Sequence, residues 1–235
     1  MGALYKTIVQ SLATRGRLLA MGALGFVAVL VSILVRSSSP FNRADTAYSL
    51  VDGYGLSVLV PIVALVFASA ALGDPAEDGT LVYLWLRPLP RWKLTLLACA
   101  GALSLSLPLA VLPVVLAALI SGVGTHLVIG AICGALLAAA GYTAVFVGLG
   151  LRVRRALAWG LAYLLIWEQA VARVAKGAAR LSISVTSRTV VARLAHHDPL
   201  PRNAMSMPVA ILVPLVVVAV AVALTSRSLD RGEIA

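Results

Sequence analysis

The sequence predicts an all-α integral membrane protein with six transmembrane helices, and three observations carry that prediction. Of 235 residues, 61% are hydrophobic and 12% charged, against roughly 45–50% and about 25% in soluble domains. Charge-free runs recur at the length a bilayer demands. The 19 basic residues, against 9 acidic ones, collect between those runs. So few polar groups cannot cover a compact soluble fold. An ordinary cytosolic enzyme, a disordered regulator and a secreted disulfide scaffold are excluded.

Residues 1–17 come first. Leu4, Tyr5, Ile8, Val9 and Leu12 recur at helical spacing, with Lys6, Gln10 and Thr14 on other faces. The pattern is that of an interfacial amphipathic helix on the inner membrane surface. A cleaved signal peptide is the competing reading, and Val35-Arg36-Ser37 is a poor cleavage site for one. Spans follow at about 18–35, 53–73, 94–119, 127–151, 156–172 and 208–225, each near the roughly 20 residues a crossing needs. The uncharged run Leu94–Leu151 must hold two of them, with Ser121-Gly122-Val123-Gly124-Thr125 as the turn. Pro61, Pro108, Pro113 and Pro214 should kink their helices. Gly130, Gly134 and Ala138 form a small-residue face suited to close packing within the subunit rather than to a dimer seam. Cys99 and Cys133 fall inside spans with no ligand partner at metal spacing. The whole chain, 1–235, reads as a single transmembrane domain.

Basic residues favour cytoplasmic loops. Eleven of the 19 lie on the side of the termini, and two lie on the other side once the long connection 173–207 is set apart. Both termini are therefore expected in the cytoplasm, with the protein multi-pass in the cytoplasmic (inner) membrane. Within 173–207, Val174, Ala178, Leu181 and Val185 share one helical face, opposite Lys176, Arg180 and Arg188. That suits a helix resting on the outer leaflet; a solvated basic loop fits equally. His196-His197-Asp198 lacks further ligands for a metal. Glu168, the one acid placed inside a span, lies near its outer end within reach of Arg173. It is a candidate substrate or gate residue, or the centre of a structural hydrogen bond.

The connection 74–91 carries the most information. Asp74 is expected to cap a helix, Pro75 to open it and Glu77 to complete a capping box. Glu77 and Asp78 would then meet the positive end of the helix dipole and Arg87 the negative end. Leu81, Leu84 and Trp85 make an apolar stripe, Pro88 and Pro90 stop the helix, and Arg91, Trp92 and Lys93 mark membrane re-entry. A capped cytosolic helix of this kind reads as a docking element, with a plain interfacial anchor as the alternative.

Glu77, Gly79, Thr80, Leu81, Pro88 and Arg91 together resemble the cytoplasmic loop of ABC-2 type transporter permeases. Six spans, inside termini and an elaborated outer loop are similar to that family too, and Trp167-Glu168 followed by Leu181-Ser182-Ile183 resembles its fifth-span region more loosely. The resemblance implies that 74–91 is a coupling helix seated on a separate nucleotide-binding ATPase subunit. Asp74, Glu77, Asp78, Gly79, Thr80, Leu81, Trp85, Arg87, Pro88 and Arg91 would form that contact. The chain has no phosphate loop, so no catalytic residue and no cofactor are expected in it. ATP and Mg would belong to the partner. The implied assembly is a homodimer of permeases with two ATPases in the lipid bilayer, exporting a lipid, drug or glycan; nucleic acid is not an expected partner. Rival readings are a secondary transporter or channel, which normally carries several intramembrane charges, and a nontransporting membrane anchor subunit.

Overall fold

The computed structural model describes residues 2–37, 40–80, 90–171, 179–197, 200 and 203–231, and every element among them is helical. In chain order these are α1 (Gly2–Leu12), α2 (Arg15–Arg36), α3 (Pro40–Ser49) and α4 (Val60–Glu77). Then come α5 (Arg91–Ser106), α6 (Leu112–Ser121), α7 (Thr125–Arg152), α8 (Ala156–Ala162), α9 (Ile183–Leu194) and α10 (Met207–Arg231). Three π-helical segments, Leu50–Leu59, Leu107–Val111 and Tyr163–Val171, follow α3, α5 and α8 without a break.

Among the described residues, five helical stretches are long and apolar enough to cross a membrane: Arg15–Arg36, Arg43–Glu77, Arg91–Ser121, Thr125–Arg152 and Met207–Asp230. The fold is helical, and these stretches have the length and composition of a membrane protein's helices. The expected span 53–73 is longer than the sequence suggested, because the helix runs through Asp52 and Tyr48 at one end and Glu77 at the other. The expected sixth span at 156–172 is not among the five. Ala156–Glu168 is shorter, and it widens into a π-helix from Tyr163, where Glu168 turns inward.

Two of the π segments explain how prolines are tolerated. A proline has no N–H and its ring crowds the preceding turn. Just before Pro61, the Val60 N–H reaches back to the Gly55 carbonyl. Between Pro108 and Pro113, the Leu112 N–H reaches the Leu107 carbonyl. Both are i→i+5 bonds, so Pro61, Pro108 and Pro113 sit in or beside widened turns, while Pro214 lies inside α10.

The core is built on α4 and α7, which pack along each other and meet at Gly73 and Gly150. Tyr142, Phe146, Phe67 and Leu72 lie fully buried there. Helix α1 turns Leu4, Ile8 and Leu12 inward, and Ile8 sits on Gly101 of α5. Its apolar face thus covers protein, whereas the sequence pattern alone suggested lipid. Outward-facing Leu19, Phe26, Leu34, Trp159, Leu165 and Leu212 stay exposed, as expected where the surroundings are acyl chains.

The largest departure from expectation is α9. Its residues from Ile183 to Ser187 and from Thr189 to Ala192 are all buried, so it is neither a surface helix nor a solvated loop. Val185 is buried, Leu181 is 62% exposed, and Arg188 points into the bundle. Residues 172–178, with Val174, Lys176 and Ala178, lie outside the described residues. The run Ser182–Ser187, which reads as too polar for a packed helix, is polar only outwardly. Thr186, Ser187 and Thr189 return their hydroxyls to carbonyls one turn earlier, which leaves methyl and methylene surface for packing.

The partner of α9 is the small-residue face of α7. Gly130 meets the Val191 backbone, Gly134 meets Val191 and Ser187, and Gly141 meets Ile183. The close approach allowed by Gly130 and Gly134 is therefore within the subunit. Any side chain at Gly134 would collide with Val191. The contacts also fix depth: α9 starts beside the middle of α7 and ends beside its start.

Candidate functional site

The bundle has two ends. One holds Arg17, Asp74, Glu77, Arg152 and Arg155. The other holds Asp45, Tyr48, His126, His196 and His197.

At the first end, the expected capping box at Asp74 and Glu77 does not exist. Helix α4 enters from the span and finishes at Glu77, so Asp74 lies in its last turn and Asp78 is the residue that ends it. Gly79 adopts φ 68°, and its N–H bonds the Ala76 carbonyl at 3.3 Å. This is the left-handed stop that glycine supplies at helix C-termini. The Thr80 hydroxyl closes over the Pro75 carbonyl at 3.4 Å. Three acids consequently crowd the negative end of the helix dipole, where they are unfavourable. Two contacts offset this. Arg17 Nη1 donates to Asp74 Oδ2 at 2.9 Å, and Glu77 Oε1 accepts the Arg155 backbone N–H at 3.0 Å. Sequence reasoning failed here because Pro75 and an acid three residues after another acid look the same whether a helix begins or ends. Gly79 was the overlooked signal.

Asp74, Glu77, Asp78, Gly79 and Thr80 thus form one exposed corner, and Arg91 opens α5 after Pro90. Leu81, Trp85, Arg87 and Pro88 lie outside the described residues. The Glu77 contact clamps the root of the connection to Arg155, which itself takes φ 59° at the α7–α8 elbow. Arg17 ties the same root to the start of α2.

The second cluster lies inside the bundle at the first turn of α9. Glu168 is 3% exposed and does not snorkel; Arg173, its expected neighbour, is outside the described residues. Its carboxylate takes the Ser182 hydroxyl at 2.5 Å, the Ile183 N–H at 3.2 Å, the Ser184 N–H at 3.3 Å and the Tyr163 hydroxyl at 3.2 Å. Ser182 in turn caps α9 by accepting the Val185 N–H at 3.1 Å. Free N–H groups and the positive dipole end make a helix N-terminus an anion site. Here the anion is the protein's own.

A second buried acid was missed. Asp52, 6% exposed, meets Arg188 through two bonds, Nε to Oδ1 at 2.6 Å and Nη2 to Oδ2 at 2.5 Å. The pair links the first π segment to α9. The sequence placed Asp52 just outside a span and Arg188 on an outer face. The available signal was the apolar pair Leu50-Val51 directly before Asp52, which extends the hydrophobic run beyond it. Two buried tyrosine hydroxyls flank these acids, Tyr48 beside the ion pair and Tyr142 beside Glu168. The Tyr48 hydroxyl has no hydrogen-bond partner among the described residues, and the Tyr142 hydroxyl faces Glu168 and Ser184.

At the far end, His197 stacks on Tyr48 at 3.7 Å, with Nδ1 3.9 Å from Asp45, and His126 meets His196 edge-on. No group of three metal-ligating side chains occurs among the described residues; Asp198 lies outside them. No protein-family model matches the sequence, and no curated protein matches it.

Proposed function

We propose that this chain is the permease subunit of an ATP-binding cassette exporter, working as a homodimer with two copies of a separate ATPase that supplies ATP and Mg. The reading places both termini and the 74–91 connection in the cytoplasm. It takes α8 with its π-helical continuation, and α9, together as a sixth crossing. The observation that carries it is the clamped root of that connection. A push on residues 78–90 meets a helix end fixed to α2 through Asp74–Arg17 and to the α7–α8 elbow through Glu77–Arg155. Displacement there is shared by three helices rather than lost in a slack loop. The coupling role rests on this anchoring and on the resemblance in Glu77, Gly79, Thr80, Leu81, Pro88 and Arg91, not on a capped helix start.

The test is ATP-dependent transport in reconstituted vesicles together with the co-purified ATPase. Glu77→Lys, or Gly79→Val at its left-handed φ, should leave the protein inserted and dimeric while uncoupling hydrolysis from transport. Normal transport with both changes present rejects the coupling role.

One observation favours a second reading, a gradient-driven secondary transporter. Among the described residues the bundle carries two buried acids, Asp52 and Glu168, and a half-buried Arg188, where the sequence suggested a single acid. All three, however, are already satisfied by Arg188–Asp52 and the α9 N-terminus. Transport driven by an ion gradient without ATP, and lost in Asp52→Asn, would select that reading.

A further inference from the structure

Two apolar grooves run down the sides of α7 near its C-terminus, and they share a ridge. One, of about 570 Å³, lies between α7 and the α8 segment, walled by Trp159, Ala162, Ile166 and Trp167. The other, of about 500 Å³, lies between α7 and α10, walled by Val145, Val216, Val220 and Leu224. Leu149 and Val153 line both. Along α10 the second groove extends from Val216 to Thr225, which at 1.5 Å per residue is about 14 Å. One leaflet of a bilayer core is about 15 Å deep. Both grooves open sideways from a helical membrane bundle, so hydrocarbon is what meets them.

Their shared end is basic. Arg152 is itself a groove residue, and Arg154 and Arg155 follow, all three exposed. None of the three is in a salt bridge among the described residues. Arg152 is held in place by donating Nε to Ser228 at 2.7 Å and Nη2 to the Leu224 carbonyl at 3.2 Å. Glu77 reaches this end through the Arg155 backbone N–H and leaves the guanidinium of Arg152 out of any salt bridge; a fixed guanidinium at the mouth of a leaflet-deep groove matches a lipid phosphate.

We infer that α7 is straddled by one anionic diacyl phospholipid of the adjoining leaflet, an acyl chain in each groove and the phosphate over Arg152 and Arg154. A single-chain amphiphile would fill one groove and leave the other, and a zwitterionic headgroup would gain less from the arginines. The inference rests on the membrane bundle alone and does not require the ATPase.

The experiment is native mass spectrometry of the full chain in mild detergent. Dioleoyl phosphatidylglycerol, dioleoyl phosphatidylcholine and oleoyl lysophosphatidylglycerol are added in turn. Phosphatidylglycerol should be retained as one tight adduct, in preference to both others. Arg154→Gln, at an exposed side chain with no partner among the described residues, should lower its retention about fivefold and leave phosphatidylcholine unchanged. Ala162→Trp with Ala221→Trp should fill the grooves and abolish the adduct. Equal retention of phosphatidylglycerol and phosphatidylcholine, or of the diacyl and lyso forms, overturns the site. So does unaltered retention in Arg154→Gln, which decides the matter even where the tryptophan variant fails to fold.

Discussion

Asp52 and Arg188, 136 residues apart in the chain, form a two-point ion pair inside the bundle. It joins a π-helical turn of the second long helix to α9, a short helix packed in the core. Removing one partner from such a pair strands the other charge in a poorly solvated place.

Asp52→Asn or Arg188→Met alone should therefore destabilise the protein by about 3–5 kcal/mol. The double change Asp52→Leu with Arg188→Met should recover most of that loss, because an apolar pair leaves no stranded charge. Thermal unfolding of the purified protein in detergent reads all the variants. Equal losses in single and double variants would mean that the pair contributes through shape instead.

Glu168 should behave as the cap of α9. Glu168→Ala frees the Ile183 and Ser184 N–H groups and the Ser182 hydroxyl, at a cost of about 2–4 kcal/mol given hydrogen bonds to a charged acceptor. Glu168→Gln keeps one acceptor oxygen and should lose less. Hydrogen exchange at Ile183–Val185 should rise in the same order. A substrate-contact role without a capping role would leave exchange at α9 unaltered.

Gly134→Leu should drive α9 away from α7, since Val191 and Ser187 already touch the glycine. Even Gly134→Ala should cost about 1–3 kcal/mol, as overpacking does. Gly16→Ala, in an exposed turn of α2 with nothing within 4 Å, should be neutral or gain about 0.5–1 kcal/mol from reduced backbone freedom. Melting temperatures of the three variants check the contrast.

Orientation is open to labelling. In a cysteine-free background, Val123→Cys should react with an impermeant thiol reagent in intact cells, and Arg154→Cys should react only after the membrane is opened. Reaction at Arg154→Cys in intact cells reverses the assignment of the two ends.

The long apolar helices were legible because a crossing leaves a plain trace, a run of uncharged residues of fixed length. The α7 glycines were legible for a related reason: small residues at fourfold spacing have few other uses. What escaped was polarity cancelled by a partner that only the folded chain supplies. Arg188 looks like a surface charge until Asp52 is beside it, and Glu168 looks costly until the α9 N-terminus meets it. The hydroxyls of Thr186, Ser187 and Thr189 look solvated until they fold back on their own helix. The Asp74–Glu77 corner failed differently. Its residue types suit either end of a helix, and only Gly79 separates the two.

The glycine seam between α7 and α9 also bears on how the chain is put into the membrane. Twelve residues carrying Arg188 and four hydroxyls make too short and too polar a segment for the insertion machinery to release into lipid by itself. The long helices partition one by one on their own hydropathy. Helix α9 has no place to go until α7 presents its notch and Asp52 waits opposite. Its docking is therefore expected to follow the insertion of the long helices. A defect at Gly134 would leave the five long helices inserted and the crossing that α9 completes unfinished, a state open to quality-control proteases.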